Sequence, residues 1–244
     1  MEAVQTKAAR VFMGVHKFTA TAAIRWDTPE MKNLQYWNRL VEMPPSRLAK
    51  ASFEEEMRYD GHWAKKWRSI FEESENIQPY TEKRAGQIDL CRETLENKEK
   101  VKWKDVISNK PKLSLLNDMD LQLSPERYIV YGLSPSQRSM LAQLRSGTLP
   151  LAVETGRFSR TPREERFCSC NQSVETEIHF IFHCIFYNDI RVPFFDDIST
   201  QIPENISVNS DASYIELLCH DFPRKFSKFS QNCYHKRISS LFIN

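Results

Sequence analysis

Apolar residues recur along most of the chain at intervals of three and four, the period of helices with one buried face. Val4, Ala8, Val11, Val15 and Phe18 keep this spacing, with Lys7, Arg10 and Lys17 toward the opposite side. Thr28-Pro29-Glu30 reads as a helix start, with threonine as cap and proline in the first turn. Leu34, Trp37, Leu40 and Val41 would then face inward until Pro44-Pro45-Ser46 ends the helix. Gly61 separates the next helix from one carrying Trp63, Trp67, Ile70 and Phe71 on a single face. A charged helix is expected from Thr81 to Val106, because Ile88, Cys91 and Leu95 keep the period. Within it Glu96-Asn97-Lys98-Glu99-Lys100 reads as a solvated face.

Beyond it the pattern loosens. Lys110 to Ser124, with Pro111, Asn117 and two aspartates, reads as a loop, and Tyr128 to Gly132 fits a short strand or a helix end equally well. Pro135 to Gly147 predicts a helix burying Met140, Leu141 and Leu144, closed by the glycine. Past Cys184 an apolar helix is expected through Phe186 and Ile190 toward Pro193, then a Ser/Asn/Asp-rich linker over 199–212. Phe222, Phe226, Phe229 and Cys233 align on the tail. The fold class expected is mainly α, a helical bundle-like body with a small knuckle loop or hairpin leading into a helix. Four segments follow: 1–110 helical, 111–134 linker, 135–198 helix plus knuckle, and 199–244 linker and helical tail.

Composition supports a folded chain, with 41% hydrophobic residues, and six glycines among 244 lean it toward helix. The net charge of +2 demands no polyanionic partner for the chain as a whole. Locally, Met1 to Lys50 has eight Lys/Arg against four Asp/Glu, and Arg138 to Arg166 has six Arg against three Glu. No run of about 18 apolar residues predicts a membrane span. The opening residues lack the apolar stretch of a secretory signal. The expected setting is therefore intracellular, cytoplasmic or nuclear, where thiols stay reduced or bind metal. Cys91, Cys219 and Cys233 stand apart and read as small buried hydrophobes.

The other three cysteines cluster. Cys168, Cys170 and Cys184 fall with His179 and His183 inside seventeen residues, half the cysteines and a third of the histidines of the chain. A zinc ion takes four such ligands at the corners of a tetrahedron, with sulfurs roughly 2.3 Å from the metal and so about 3.8 Å from one another. Residues two apart in an extended strand point the same way, so Cys168 and Cys170 can face one ion if the backbone curls. On a regular helix His179 and Cys184 would diverge by about 140°. His179 is therefore expected before or at the first helical turn, with Cys184 inside it. Glu175 and Glu177 would lie near that helix start. His183 is the rival ligand. Cys168, Cys170, His179 and Cys184 leave no open coordination position, which makes the expected zinc structural, contributing on the order of 10 kcal/mol to local folding.

Around these residues the chain resembles a known family. Leu144-Arg145-Ser146-Gly147-Thr148-Leu149-Pro150-Leu151, Glu154-Thr155-Gly156-Arg157, Glu165-Arg166-x-Cys168 and Val174-Glu175-x-Glu177-x-x-His179-Phe180 are similar to the segment after the polymerase domain in animal non-LTR (LINE-like) retrotransposon reverse transcriptases. His183-Cys184, Tyr187-Asn188-Asp189 and Arg191 continue the likeness, as do Ala8 to Phe18 and Tyr36 to Leu40 near the start. The resemblance implies a helical, thumb-like extension and a Cys-Cys-His-Cys knuckle that helps hold nucleic acid, with Cys168, Cys170, His179 and Cys184 in the ligand positions. The family usually has two residues between its first cysteines; this chain has one. No Tyr-x-Asp-Asp is present, so the polymerase's metal-binding carboxylates are missing.

The expectation for function is accordingly a non-catalytic module binding single-stranded RNA or DNA, without membrane or small-molecule substrate, and with the parent element's polymerase part as a further partner. Basic side chains would meet phosphate while aromatics stack on unpaired bases. The candidates are Arg145, Arg157, Arg160, Arg163 and Arg166, with Phe158 and Phe167 interleaved. The alternative is a helical interaction protein, or a relic of the element, in which Trp37, Trp63, Trp67 and Trp103 simply fill a core.

Overall fold

A computed structural model describes residues 29–86, 88–119, 127–203 and 208–241. The helix expected over Val4 to Phe18 and the Thr28 cap lie outside them. The chain is mainly α: twelve α-helices are present among the described residues, and extended pairing there is limited to one isolated bridge. It divides into two compact units, one ending at Lys104 and the other running on from Asp105.

In the first unit α1 (Pro29–Glu42), α2 (Leu48–Arg58), α3 (His62–Glu73), the short α4 (Gln78–Glu82) and the start of α5 (Asp89–Ser108) enclose one core. Leu34, Trp37 and Leu40 meet Phe53, Trp67, Ile70 and Phe71, with Tyr80, Ile88, Cys91 and Leu95 closing the cluster. Trp37 sits edge-on to Phe71 with ring centroids 4.8 Å apart. Lys50 donates to the carbonyls of Leu40 at 3.1 Å and Val41 at 2.9 Å, so a cation satisfies the end of α1. Trp63, expected on the buried face of α3, is 43% exposed. The expected Thr81–Val106 helix is two: Lys83 and Gly86, both with positive φ, separate α4 from α5.

The second unit contains the site. Within 111–134, expected to be a linker, residues 111–119 and 127–134 belong to this body. A 3-10 turn at Pro111–Leu113, α6 (Ser114–Asn117) and α7 (Arg127–Val130) carry Leu113, Leu115, Leu116 and Tyr128 into the interior, and Met119 is buried just past α6. Tyr128 thus belongs to a helix, which Gly132 ends at φ +72°. Next, α8 (Pro135–Arg145) opens with a capping box between Ser134 and Gln137. It closes with paired bonds, Thr148 N to Gln143 O at 2.9 Å and Gly147 N to Leu144 O at 3.3 Å. Gly147 sits at φ +60°, where a Cβ would also collide with the carbonyl of Lys112. The Arg-Ser-Gly-Thr-Leu-Pro-Leu segment is therefore a helix stop that sends Leu149 and Leu151 into the core and leads to α9 (Ala152–Phe158).

After the cysteine segment come α10 (Asn188–Ser199), which continues through Pro193 rather than stopping at it, α11 (Asp211–Asp221) and α12 (Pro223–Leu241). The last helix lies along α8 and is flanked by α10 and α11. Phe226, Phe229 and Cys233 form its buried stripe, and Phe229 stacks on Phe194 at 4.2 Å. No helix among the described residues is long and apolar enough to cross a membrane.

Candidate metal centre

Phe167 and Val174 form the isolated antiparallel bridge, and the chain between them folds into a tight knuckle. Cys168 N donates to Ser173 O at 2.9 Å, and Asn171 N donates to Cys168 O at 2.8 Å. Asn171 takes φ +58°, a left-handed conformation that asparagine tolerates better than most residues. This is the curl that Cys-x-Cys needs. It also aims backbone N–H groups at sulfur: Cys170 N–H at Cys168, Gln172 and Ser173 N–H at Cys170.

The other two ligands come from a turn capped by Thr176, whose hydroxyl accepts from His179 N at 3.1 Å. His179 to His183 then form a π-helical turn, closed by Cys184 N donating to His179 O at 2.8 Å. This differs from the expected arrangement, in which Cys184 lay inside a regular helix. The wider turn bonds residue i to i+5, so His179 and Cys184 stack on nearly one face. Cys184 itself leaves the turn in extended conformation, with the Phe186 N–H directed at its sulfur.

The four side chains converge. Cys168 Sγ lies 3.5 Å from Cys184 Sγ, Cys170 Sγ lies 3.3 Å from His179 Nε2, and all four ligand atoms fall within 4.8 Å of one another. Sulfurs on a tetrahedral ion stand about 3.8 Å apart. The set could hold one metal ion. His183 is not part of it; its Nε2 meets Asp211 Oδ2 at 3.1 Å on the surface.

Electrostatics suit the set to a cation. Burial pushes the Cys168 and Cys184 thiols up, so without a positive charge beside them they hold their protons. Burial also opposes ionisation of Cys170, but the Gln172 N–H and hydrogen bonds from the neighbouring thiols outweigh it and its pKa falls. Burial lowers the pKa of His179, which favours the neutral imidazole that binds metal.

Sequence reasoning missed the groups that hold this cluster in place. Glu175 lies just ahead of the Thr176 cap, near the helix start as expected, but it is 2% exposed and takes a two-pronged ion pair from Arg237, Nε to Oε1 at 2.6 Å and Nη2 to Oε2 at 2.7 Å. It also accepts Ala152 N at 2.5 Å, and the Cys168 thiol donates toward it at 4.0 Å. Arg191 donates to Ile181 O at 2.8 Å and Cys184 O at 2.6 Å, fixing the exit from the π turn. Arg237 continues the Phe226–Phe229–Cys233 stripe at helical spacing. A cation at an apolar position calls for a buried counter-ion, the one signal that could have found it. Glu177 is the first helical residue, as expected, and is buried too; removal from water raises its pKa to about 7.

The residues expected to touch nucleic acid separate into two groups. Arg145 is 5% exposed, with its guanidinium over the Tyr128 ring, and does not face solvent. Arg166 donates to Val153 O at 2.6 Å and to Thr161 O at 2.9 and 2.7 Å, spending its donors on the scaffold beneath the knuckle. It crosses Gly156 so closely that a Cβ there would meet its side chain at 2.7 Å. Arg157, Arg160 and Arg163 are exposed, as are Phe158 at 80% and Phe167 at 54%. Arg157 pairs with Glu154 at 2.9 Å. No family model, curated protein or solved structure matches the chain.

Proposed function

We propose that this chain is a non-catalytic zinc knuckle that binds single-stranded nucleic acid. The observation that carries the reading is the convergence of three sulfurs and one imidazole nitrogen within 4.8 Å on a curled Cys-x-Cys turn. Thiolate and imidazole donors in a closed tetrahedral set favour zinc over the harder cations, which prefer oxygen. Charge supports the same assignment. Three thiolates around a divalent ion leave one negative charge; Arg191 lies beside it, while Glu175 and Arg237 cancel each other.

The binding surface would be the strip from Arg157 to Phe167. Phe158 offers a ring with four-fifths of its surface in water, which suits stacking on an unpaired base, and Arg157, Arg160 and Arg163 supply cations for phosphate. Arg145 and Arg166 serve the scaffold and drop out of the contact set. The resemblance to the region after a LINE-like polymerase points the same way and makes the element's RNA or nascent DNA the natural ligand class. A second reading, a helical interaction protein, draws on the first unit, where Tyr36, Tyr59 and Trp63 are 50%, 71% and 43% exposed.

Two measurements test the proposal. Metal analysis of the purified chain should find about one zinc per molecule, lost in Cys184→Ser. Titration of single-stranded RNA and DNA across salt should give a slope of log affinity against log salt near −2, for about three phosphate contacts. Zinc near zero refutes the knuckle, and a flat salt response with zinc bound refutes the nucleic-acid reading and favours the second.

A further inference from the structure

All six cysteines are free thiols; five are buried, and Cys170 is the one that is partly exposed. Its sulfur belongs to the same 4.8 Å cluster as those of Cys168 and Cys184. One partly exposed sulfur, set beside buried sulfurs that can resolve it, is the arrangement of a peroxide-reactive cysteine. From this geometry we infer that the centre is a redox latch: hydrogen peroxide oxidises Cys170, Cys184 resolves it to a disulfide, and the metal ion is expelled. The inference rests on the reading of the centre as a zinc site.

The chemistry balances. The Cys170 thiolate attacks one oxygen of hydrogen peroxide; an S–O bond forms, the O–O bond breaks, and hydroxide leaves. The sulfenic acid has lost two electrons to the peroxide. The Cys184 thiolate then attacks the Cys170 sulfur, forming the S–S bond and releasing the second oxygen as hydroxide. In sum, two thiolates, one hydrogen peroxide and two protons become one disulfide and two waters. Zinc departs as the divalent ion, because only Cys168 and His179 remain to hold it.

Position selects the pair. Cys168 and Cys184 hold their sulfurs 3.5 Å apart, yet they are 2% and 0% exposed, so oxidant meets Cys170 first. A bridge between Cys168 and Cys170 would have to close across a single residue. It would disrupt the turn that the Asn171 N to Cys168 O bond holds at 2.8 Å. Cys184 comes from a separate stretch of chain, just past the π turn and in extended conformation, without that constraint.

The full zinc-loaded chain treated with a few equivalents of hydrogen peroxide tests this, with zinc release followed by a coloured chelator and thiols mapped by alkylation and peptide mass spectrometry. The expected result is loss of about one zinc with two thiols, a Cys170–Cys184 link, and recovery with dithiothreitol and zinc. Cys170→His, which retains a nitrogen ligand there, should slow release tenfold or more. A Cys168–Cys184 link, sulfinic acids without a disulfide, or zinc retained with its thiols intact would each overturn the inference. Should Cys170→His bind no zinc, the link mapped in the unaltered chain decides. A chain that takes up no zinc before peroxide is added removes the zinc reading itself, and the latch with it.

Discussion

Replacing Arg237 with methionine should cost the second unit several kcal/mol while leaving every metal ligand in place. Methionine keeps much of the apolar volume of the Arg237 side chain but removes both bonds to Glu175, at 2.6 and 2.7 Å. Glu175, 2% exposed, would then keep only the Ala152 N–H as a side-chain partner, since Cys168 as a metal-bound thiolate has no proton to donate. A buried ion pair broken on one side costs about 3–5 kcal/mol, because the remaining charge cannot return to water. At roughly 2–4 °C per kcal/mol the melting midpoint should fall by about 6–20 °C. Urea unfolding at fixed excess zinc, followed by circular dichroism, measures it. The companion variants are Glu175→Gln and the double replacement. The double should be more stable than the two single losses added together, with a coupling of about 2 kcal/mol or more. An Arg237→Met chain within 1 kcal/mol of the original, or single losses that simply add, would refute the idea that this pair anchors the knuckle.

Gly147→Ala should destabilise by about 1–3 kcal/mol in urea unfolding, since it combines a positive φ with a collision at the Lys112 carbonyl; an unchanged midpoint would contradict the helix stop described above. Glu177, with its pKa raised from 4.5 to about 7 in the folded chain, contributes fully below pH 4.5 and loses its contribution as pH rises to about 7. Glu177→Gln should therefore match the original chain near pH 4.5 and exceed it by up to about 3 kcal/mol above pH 7, at saturating zinc throughout; equal stability at both ends would show the carboxylate is not desolvated. Phe158→Ala should weaken single-stranded nucleic acid binding by about 1–3 kcal/mol with no change in melting temperature, because its ring is 80% exposed; a loss of stability without a loss of affinity would mark it as a packing residue.

Much of this was legible in the chain. Leu34, Trp37, Leu40, Ile88, Cys91 and Leu95 keep a helical period long enough to declare their buried faces, and all six are interior. The cluster of soft ligands announced itself by density alone. Trp63 keeps the same period yet stands 43% exposed, because spacing fixes a face but not how far the neighbouring helices cover it. Leu113, Leu115 and Leu116 sit in helical pieces of three and four residues, too short to display any period. The anchoring pair was out of reach for a different reason: Glu175 and Arg237 are 62 residues apart, and nothing local to either names the other. Arg145 and Arg166 show the limit of counting charge, since a guanidinium saturated by carbonyls or stacked on a ring has the same sequence letter as one waiting for phosphate.

The π turn has a consequence for how the chain can change length. Deleting one residue between His179 and Cys184 would turn an i, i+5 pair into an i, i+4 pair, which an ordinary α turn brings to the same face. Both ligands could still reach one ion. What would be lost is the heading of everything downstream, rotated by about 100° for the missing residue, so that Arg191 would swing away from the Ile181 and Cys184 carbonyls it now clasps. The surplus residue thus acts as a steering element for the outgoing helix, and its removal should be felt at α10 before it is felt at the sulfurs.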